Sequence, residues 1–149
     1  MASDRVTKWG VWYPAQFCPN NSYATGFAIK YEKSSNGLDN TALNAINLLC
    51  SDNNNNNSLV SQIASNWNTR ENREEYVSWG DWDREFKKCS NGKRLNQFSL
   101  RVEQPKGTGG DDTAANSLRM SCEDMKGDDE FMESNTEGLI DAHGQWSEF

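Results

Sequence analysis

The sequence predicts an all-β fold, and three observations lead to that prediction. One stretch of the chain occurs twice at a nearly constant offset, several segments alternate apolar and polar residues, and no segment keeps a helical period. Alternation with a period of two is typical of a half-buried strand, whereas a helix repeats its apolar face about every 3.6 residues. The chain has 149 residues, which is enough for one domain with a substantial core.

The internal repeat begins with Trp-Gly-x-Trp and continues through a cysteine, an alternating segment and a Gly/Asp turn. A second alternating segment then ends at another cysteine. The offset between the copies is 70 residues from Trp9 to Trp79 and 72 residues from Cys50 to Cys122. A repeat of this kind decides the architecture, because each copy is one supersecondary unit that needs its neighbours to bury a core.

The repeat divides the predicted single domain, residues 1–149, into four parts. The first repeat covers about 9–50 and the second about 78–122. An Asn-rich connection, 51–77, lies between them, and 123–149 contains an acidic loop followed by the opening of a third repeat.

The alternating segments predict the strands of the two repeats. Their apolar positions are Phe27, Ile29, Tyr31, Ile46, Leu48 and Cys50 in the first copy, and Phe98, Leu100, Val102, Leu118, Met120 and Cys122 in the second. A further strand is predicted over 59–64. A loop or helical turn is predicted over 69–75, where the residues are charged and no apolar face is present.

Charge and hydropathy exclude several classes of partner. The chain has 22 acidic and 15 basic residues, for a formal net charge of −7, which argues against binding to nucleic acid or an anionic membrane. No apolar run approaches the roughly 18 residues of a transmembrane helix. No secretory signal is visible, because the first residues lack an apolar stretch.

The four cysteines occupy equivalent positions of the two repeats, which predicts one disulfide per repeat. We predict Cys18–Cys50 and Cys89–Cys122, although four cysteines allow three pairings and four buried thiols are the alternative. Disulfides would place the protein outside the cytosol. With no C-x-x-C pair and His143 as the only histidine, the sequence predicts no metal site and no cofactor. Two Asn-x-Ser sequons predict N-glycosylation at Asn20 and Asn56.

Three motifs resemble the vitelline membrane outer layer protein 1 family. They are the Trp-Gly-x-Trp openings, the Phe-x-[Ile/Leu]-[Lys/Arg]-x-Glu strands and the Gly-x-Asp-[Asn/Asp]-Thr-Ala-[Leu/Ala]-Asn turns that lead to a cysteine. The likeness covers Trp9 to Cys122 and extends weakly over Gly144 to Phe149.

This resemblance implies a type I β-prism, in which three four-stranded Greek-key sheets form the faces of a prism around a pseudo-threefold axis. In this chain the third repeat is incomplete. Three explanations follow: the sequence is a fragment or split product, which we favour, a second chain completes the fold as a partner, or residues 123–149 fold differently from the family. The resemblance also implies secretion into egg coats and other extracellular layers, and binding or transfer of N-acetylglucosamine oligosaccharides.

The repeated turns hold the candidate site residues Asp39, Asn40, Asp111 and Asp112. In one interpretation, these carboxylates and amides bind sugar hydroxyls, and Asp39, Asp111 or Asp112 acts in a general acid/base pair. In the other, they cap the turn by accepting bonds from nearby backbone amides. Repetition favours the second interpretation, since every repeat needs its turn but an enzyme needs one catalytic pair.

The tryptophans also have two interpretations. Trp9 and Trp79, which come first in their motifs, are candidate stacking platforms for sugar rings. Trp12, Trp82 and Trp146, which come second, are predicted to fill the core.

Three functions follow from these observations. The first is a secreted structural protein of an extracellular layer that binds glycans, or other coat proteins, through the loop ends of the prism. The second is a weak glycosyltransferase or glycosidase that uses paired carboxylates. The third is a purely structural coat component without a ligand.

Overall fold

A computed structural model describes residues 14–32, 42–52, 58–65, 67–68, 73–74, 80–103, 115–134 and 144–148. As the sequence predicts, these residues form strands and turns and contain no helix. The strands are β1 (Ser22–Tyr31), β2 (Leu43–Asp52), β3 (Leu59–Ala64), β4 (Trp67–Asn68), β5 (Arg73–Glu74), β6 (Asp81–Trp82), β7 (Lys87–Lys88), β8 (Arg94–Val102), β9 (Ala115–Glu123), β10 (Asp129–Glu133) and β11 (Gln145–Trp146).

The strands form two main antiparallel sheets. The first sheet has the order β3-β2-β1-β6, with β7 also paired to β1, and the second has the order β10-β9-β8-β11. This arrangement is consistent with a β-prism-like fold. A small sheet of β4 and β5 includes residues 73–74, so the prediction of a loop or helical turn over 69–75 was wrong at that point.

The central strand pairs of the two sheets have the same irregularities in register. In the first sheet the β1–β2 pairing shifts between Ala24 and Gly26 and between Lys30 and Tyr31. In the second sheet the β8–β9 pairing shifts between Leu95 and Gln97 and between Arg101 and Val102. A β-bulge bends its strand and increases the local twist, so β1 and β8 are bent at equivalent positions.

An edge strand of each sheet comes from a Gly-x-Trp segment further along the chain. Strand β6, in Gly80-Asp81-Trp82, pairs with Lys30 and Tyr31 of β1. Strand β11, in Gly144-Gln145-Trp146, pairs with Val102 and Arg101 of β8. Similar segments therefore extend the two sheets at equivalent positions.

The same hydrogen bonds close both edges of each sheet. At one edge, Asp83 and Ser147 are equivalent, because their backbone N–H groups donate to Ile29 O and Leu100 O, each at 2.9 Å. At the other edge, the backbone N–H groups of Ser65 and Ser134 donate, each at 2.8 Å, to the carbonyls of Ile46 and Leu118 respectively.

The core lies between the inner faces of the two sheets. Its fully buried apolar side chains include Phe27 and Ile29 of β1 and Leu118 of β9, with Phe98 and Leu48 packed against them. Burial of each large apolar side chain contributes about 1.5–3 kcal/mol, so this cluster is the main apolar contribution to stability.

Both disulfides have the predicted pairing, Cys18–Cys50 and Cys89–Cys122. The second joins the two sheets, because Cys122 lies on β9 while the Cys89 backbone N–H donates to Thr25 O of β1 at 2.8 Å. In the chain-entropy model, a loop of this size contributes about 4 kcal/mol.

Trp82 and Trp146 lie on the outer faces of the sheets, so the prediction that they fill the core was wrong. Trp82 is paired with Lys30 and Trp146 with Arg101, and residues opposite each other on antiparallel strands point to the same face. The Arg119 guanidinium carbon lies 4.3 Å from the Trp146 ring centroid, which is a cation–π contact. Both tryptophans are half-buried.

Among the described residues there is no helix with the length and hydropathy that a membrane span requires.

Candidate functional site

Most of the sugar-binding and catalytic candidates from the sequence cannot be placed. Asp39, Asn40, Asp111, Asp112, Trp9, Trp79 and Asn56 lie outside the described residues. The remaining candidates are Asn20 and the four cysteines, which the structure does place.

Asn20 lies in an exposed turn that leads into β1. The Ser22 side chain of the same sequon donates a 2.6 Å hydrogen bond to Pro19 O, and the Ser22 backbone N–H donates to the same oxygen at 3.1 Å. Asn21 has φ of 61°, a left-handed conformation that asparagine tolerates better than most residues. The turn therefore presents Asn20 to solvent.

Two carboxylates among the described residues have shifted pKa values, and both have structural roles. Burial raises the pKa of Asp83, although the Ile29 backbone N–H at 3.3 Å and the charge of Lys87 oppose the shift. Backbone N–H groups of Asp128 and Lys126 lower the pKa of Asp124 and fix the turn before β10. No group of three or more His, Cys, Asp or Glu residues in the described chain is arranged to hold a metal ion.

An open apolar groove of about 420 Å³ lies between the inner faces of the sheets. It is lined by Pro14, Gln16, Ile46, Leu48, Ile63, Ala64, Ser65, Phe98, Leu118 and Met120. The groove is continuous with the core cluster, since Ile46, Leu48 and Phe98 belong to both.

A second cavity, which we call the polar pocket, lies on the outer face of the first sheet. It has a volume of about 340 Å³ and is lined by Thr25, Leu49, Ser51, Leu59, Gln62, Phe86, Lys88, Cys89 and Asn91. Leu49 and Ser51 of β2 line this pocket, whereas Leu48 packs against the core cluster on the other face.

Gly26 allows strand β7 to approach β1 closely beside the pocket. A Cβ atom there would lie 2.6 Å from Lys87 O, 3.2 Å from Lys88 Cγ and 3.3 Å from Leu49 Cδ1. Strand β7 can therefore pair closely with β1, and the pairing of Lys88 with Gly26 directs the lysine side chain to the outer face.

Two buried hydroxyl groups form the polar floor of the pocket. Thr25 Oγ1 and Ser51 Oγ lie 2.6 Å apart, and the two residues are 6% and 3% exposed. A hydroxyl has one donor proton, so one of the two donates to the other and the second keeps its proton. That proton has no other partner among the described residues.

The rim of the pocket adds further donors. Gln62 Oε1 accepts a 2.9 Å bond from Asn47 Nδ2, which leaves the Gln62 amide N–H groups for a ligand. Lys88 contributes a cation, Asn91 a second amide and Phe86 an aromatic wall. None of the described residues that line the pocket is acidic.

The second sheet has different residues at the equivalent positions. Asn96 and Glu123 replace the hydroxyl pair, and Asn96 Nδ2 donates to Glu123 Oε2 at 2.8 Å. Phe131 takes the position of Gln62, because Phe131 is paired with Ser121 in the second sheet and Gln62 with Leu49 in the first. Phe131 is 60% exposed. Sequence reasoning missed the polar pocket, although the two copies do differ at Thr25 and Ser51, which align with Asn96 and Glu123.

Comparison with known proteins identifies the family. The sequence model of the vitelline membrane outer layer protein I family matches residues 1–148. The chain belongs to this family. It is 39% identical over 118 residues to the human vitelline membrane outer layer protein 1 homolog, and 36% identical over 118 residues to the homolog from Mus musculus.

Each alignment with these family members covers 78% of this chain and 52% of the relative. The chain therefore spans about half the length of the relatives it matches. The family match agrees with the all-β fold and with the resemblance of the sequence motifs.

Proposed function

We propose that the protein is a structural component of an extracellular layer and that it binds N-acetylglucosamine-type glycans there without chemically changing them. The observation that carries the proposal is the family match over residues 1–148, since the family is named for the outer layer of the vitelline membrane. The two disulfides support secretion, because such bonds persist in oxidising compartments and are rare in the cytosol.

The polar pocket supports the glycan-binding part of the proposal. Sugar-binding sites need hydrogen-bond donors and acceptors for hydroxyl and acetamido groups, together with an apolar surface for the face of the ring. The pocket offers hydroxyl and amide groups beside Phe86, and its volume of about 340 Å³ is within the range of small-molecule sites. The Cys89–Cys122 disulfide holds one wall, which limits the entropy lost on binding.

The test is calorimetric titration of the oxidised protein with tri-N-acetylchitotriose. Cellotriose, which lacks the acetamido groups, is the matched control saccharide. We expect saturable binding of the chitin oligosaccharide, a weaker response to cellotriose, and no change in the chain length of either sugar by chromatography. Absence of saccharide binding, or the appearance of cleaved or transferred products, would contradict the proposal.

A further inference from the structure

We propose that the polar pocket binds the acidic group of an anionic saccharide, a sulfate ester or a carboxylate carried by a sugar ring. This inference rests on the proposed glycan binding and specifies which class of glycan this site takes.

The donors of the pocket outnumber its strong acceptors. Its lining includes the uncommitted proton of the Thr25–Ser51 pair, the amide N–H groups of Gln62 and the side chain of Lys88. N-acetylglucosamine carries donors as well as acceptors, so it would use only part of this set. The lining residues contain no carboxylate, whereas the oxygens of an anionic group would accept from all of these donors.

The charge around the pocket differs from that of the whole chain. The protein has 22 acidic residues and a formal net charge of −7, yet the described lining of the pocket has one lysine and no acid. Lys88 has no ion-pair partner among the described residues. An anionic ligand group would give it one.

The second sheet serves as an internal control. There the position of Ser51 is occupied by Glu123, whose carboxylate accepts from Asn96 Nδ2 at 2.8 Å. This position of the second sheet therefore holds a carboxylate of the protein. In the first sheet it holds Ser51, which bonds to Thr25, so no protein carboxylate occupies the place that we assign to the acidic group of the ligand.

The surroundings of the donors would strengthen such a contact. Leu49 is 6% exposed and the hydroxyl pair is buried, so an anionic group that reached them would leave bulk water. Hydrogen bonds to an ionised group are about twice as strong as neutral ones, and the attraction to Lys88 grows as the local dielectric constant falls. Phe86 lies at the wall, where the face of a sugar ring can stack.

The experiment compares four probes by chemical-shift titration of the oxidised protein. They are N-acetylglucosamine, N-acetylglucosamine 6-sulfate, N-acetylneuraminic acid and inorganic sulfate. We expect at least one acidic sugar to bind about tenfold or more tightly than N-acetylglucosamine, with weakening in high salt. The sulfated and carboxylated sugars distinguish the two sources of negative charge.

Three exposed positions give two test variants, at Lys88 and Gln62, and one control variant at Lys126. Lys88→Gln removes the cation and is expected to lower affinity for the acidic sugar about tenfold or more, whereas Lys126→Gln makes the same charge change on an exposed turn of the second sheet and should leave affinity unchanged. Gln62→Glu adds an acid at the rim and should abolish binding of the acidic sugar. The pattern of amide shifts of each variant shows whether it remains folded.

Three results would overturn the inference. If N-acetylglucosamine binds as tightly as the acidic sugars and Lys88→Gln changes nothing, the protein binds glycans but not through an anion pocket. If inorganic sulfate binds as tightly as the sulfated sugar, the site recognises a free anion and no saccharide. If no saccharide binds, the inference and the proposed function fail together.

Discussion

Replacing Gly144 by alanine tests how the second sheet is closed. Gly144 has φ of +104°, and a Cβ atom there would lie 2.4 Å from Val102 O and 2.5 Å from Val102 C. The side chain would strain the backbone and would also force residues 144–148 away from β8 by about 1 Å, because carbon atoms pack at roughly 3.5–4.0 Å. We therefore expect Gly144→Ala to loosen or detach this segment.

The contacts of the segment limit the size of the effect. They include a 2.9 Å bond from the Ser147 backbone N–H to Leu100 O, a 2.6 Å bond from Ser99 Oγ to Ser147 O, and the stacking of Arg119 on Trp146. Each contributes about 0.5–1.5 kcal/mol net, so the complete loss of these three contacts would cost roughly 1.5–4.5 kcal/mol.

Gly92→Ala is the matched control, because Gly92 has φ of +81° and no atom within 4 Å of its hypothetical Cβ. That variant should lose only the backbone term, about 1–2 kcal/mol. Chemical denaturation measures the free energy of unfolding, and hydrogen exchange follows the backbone amides of Leu100 and Ser147. Equal losses in the two variants, with both amides still protected in Gly144→Ala, would refute the reasoning.

Two further predictions concern the joined sheets. Replacing Cys89 and Cys122 together by alanine should lower the free energy of unfolding by about 4 kcal/mol in denaturant titrations, and a loss below about 1 kcal/mol would contradict the joining role. Burial raises the pKa of Asp83, so its carboxyl group stays protonated to a higher pH in the folded protein than in the unfolded chain. The folded protein therefore loses stability as the pH rises through the folded pKa. Asp83→Asn should therefore be more stable, relative to the parent protein, at about pH 7 than at about pH 3, while its amide oxygen still accepts from Ile29. A larger relative stability at the acidic pH would show that the hydrogen bond to Ile29 outweighs the burial.

Alternation of apolar residues was enough to predict the central strands, because it is a local property of the chain. Strand β3 was predicted over the residues at which it is found, and the central apolar positions of β1 and β8 do face the core. The disulfide pairing followed from the equivalent positions of the cysteines in the two repeats.

The pairing of β6 and β11 with the preceding sheets could not be predicted. Each is only two residues long. Strand β6 follows its partner β1 by about fifty residues, and β11 follows its partner β8 by more than forty. The close approach depends on glycines with positive φ, Gly80 and Gly144, whose role is visible only when the partner carbonyl is in place. Strand β10 was missed because acidic residues surround it. In the structure it pairs with β9, and a 3.1 Å salt bridge between Glu133 and Arg119 supports this pairing.

The polar pocket was not predictable for a related reason. Its floor and rim come from β1, β2, β3 and β7, so Thr25, Ser51, Gln62 and Lys88 are adjacent only after the first sheet has formed. Each residue alone is an ordinary polar residue of a strand. The sequence instead drew attention to the repeated Asp-rich turns, which lie outside the described residues.

The most direct test of the account is a non-reducing peptide map of the protein from its native source, alkylated before digestion. The account predicts a peptide with Cys18 linked to one with Cys50, a peptide with Cys89 linked to one with Cys122, and a glycan on Asn20 that peptide N-glycosidase removes. Four alkylated cysteines and an unmodified Asn20 would contradict the disulfide-joined sheets and the extracellular location together.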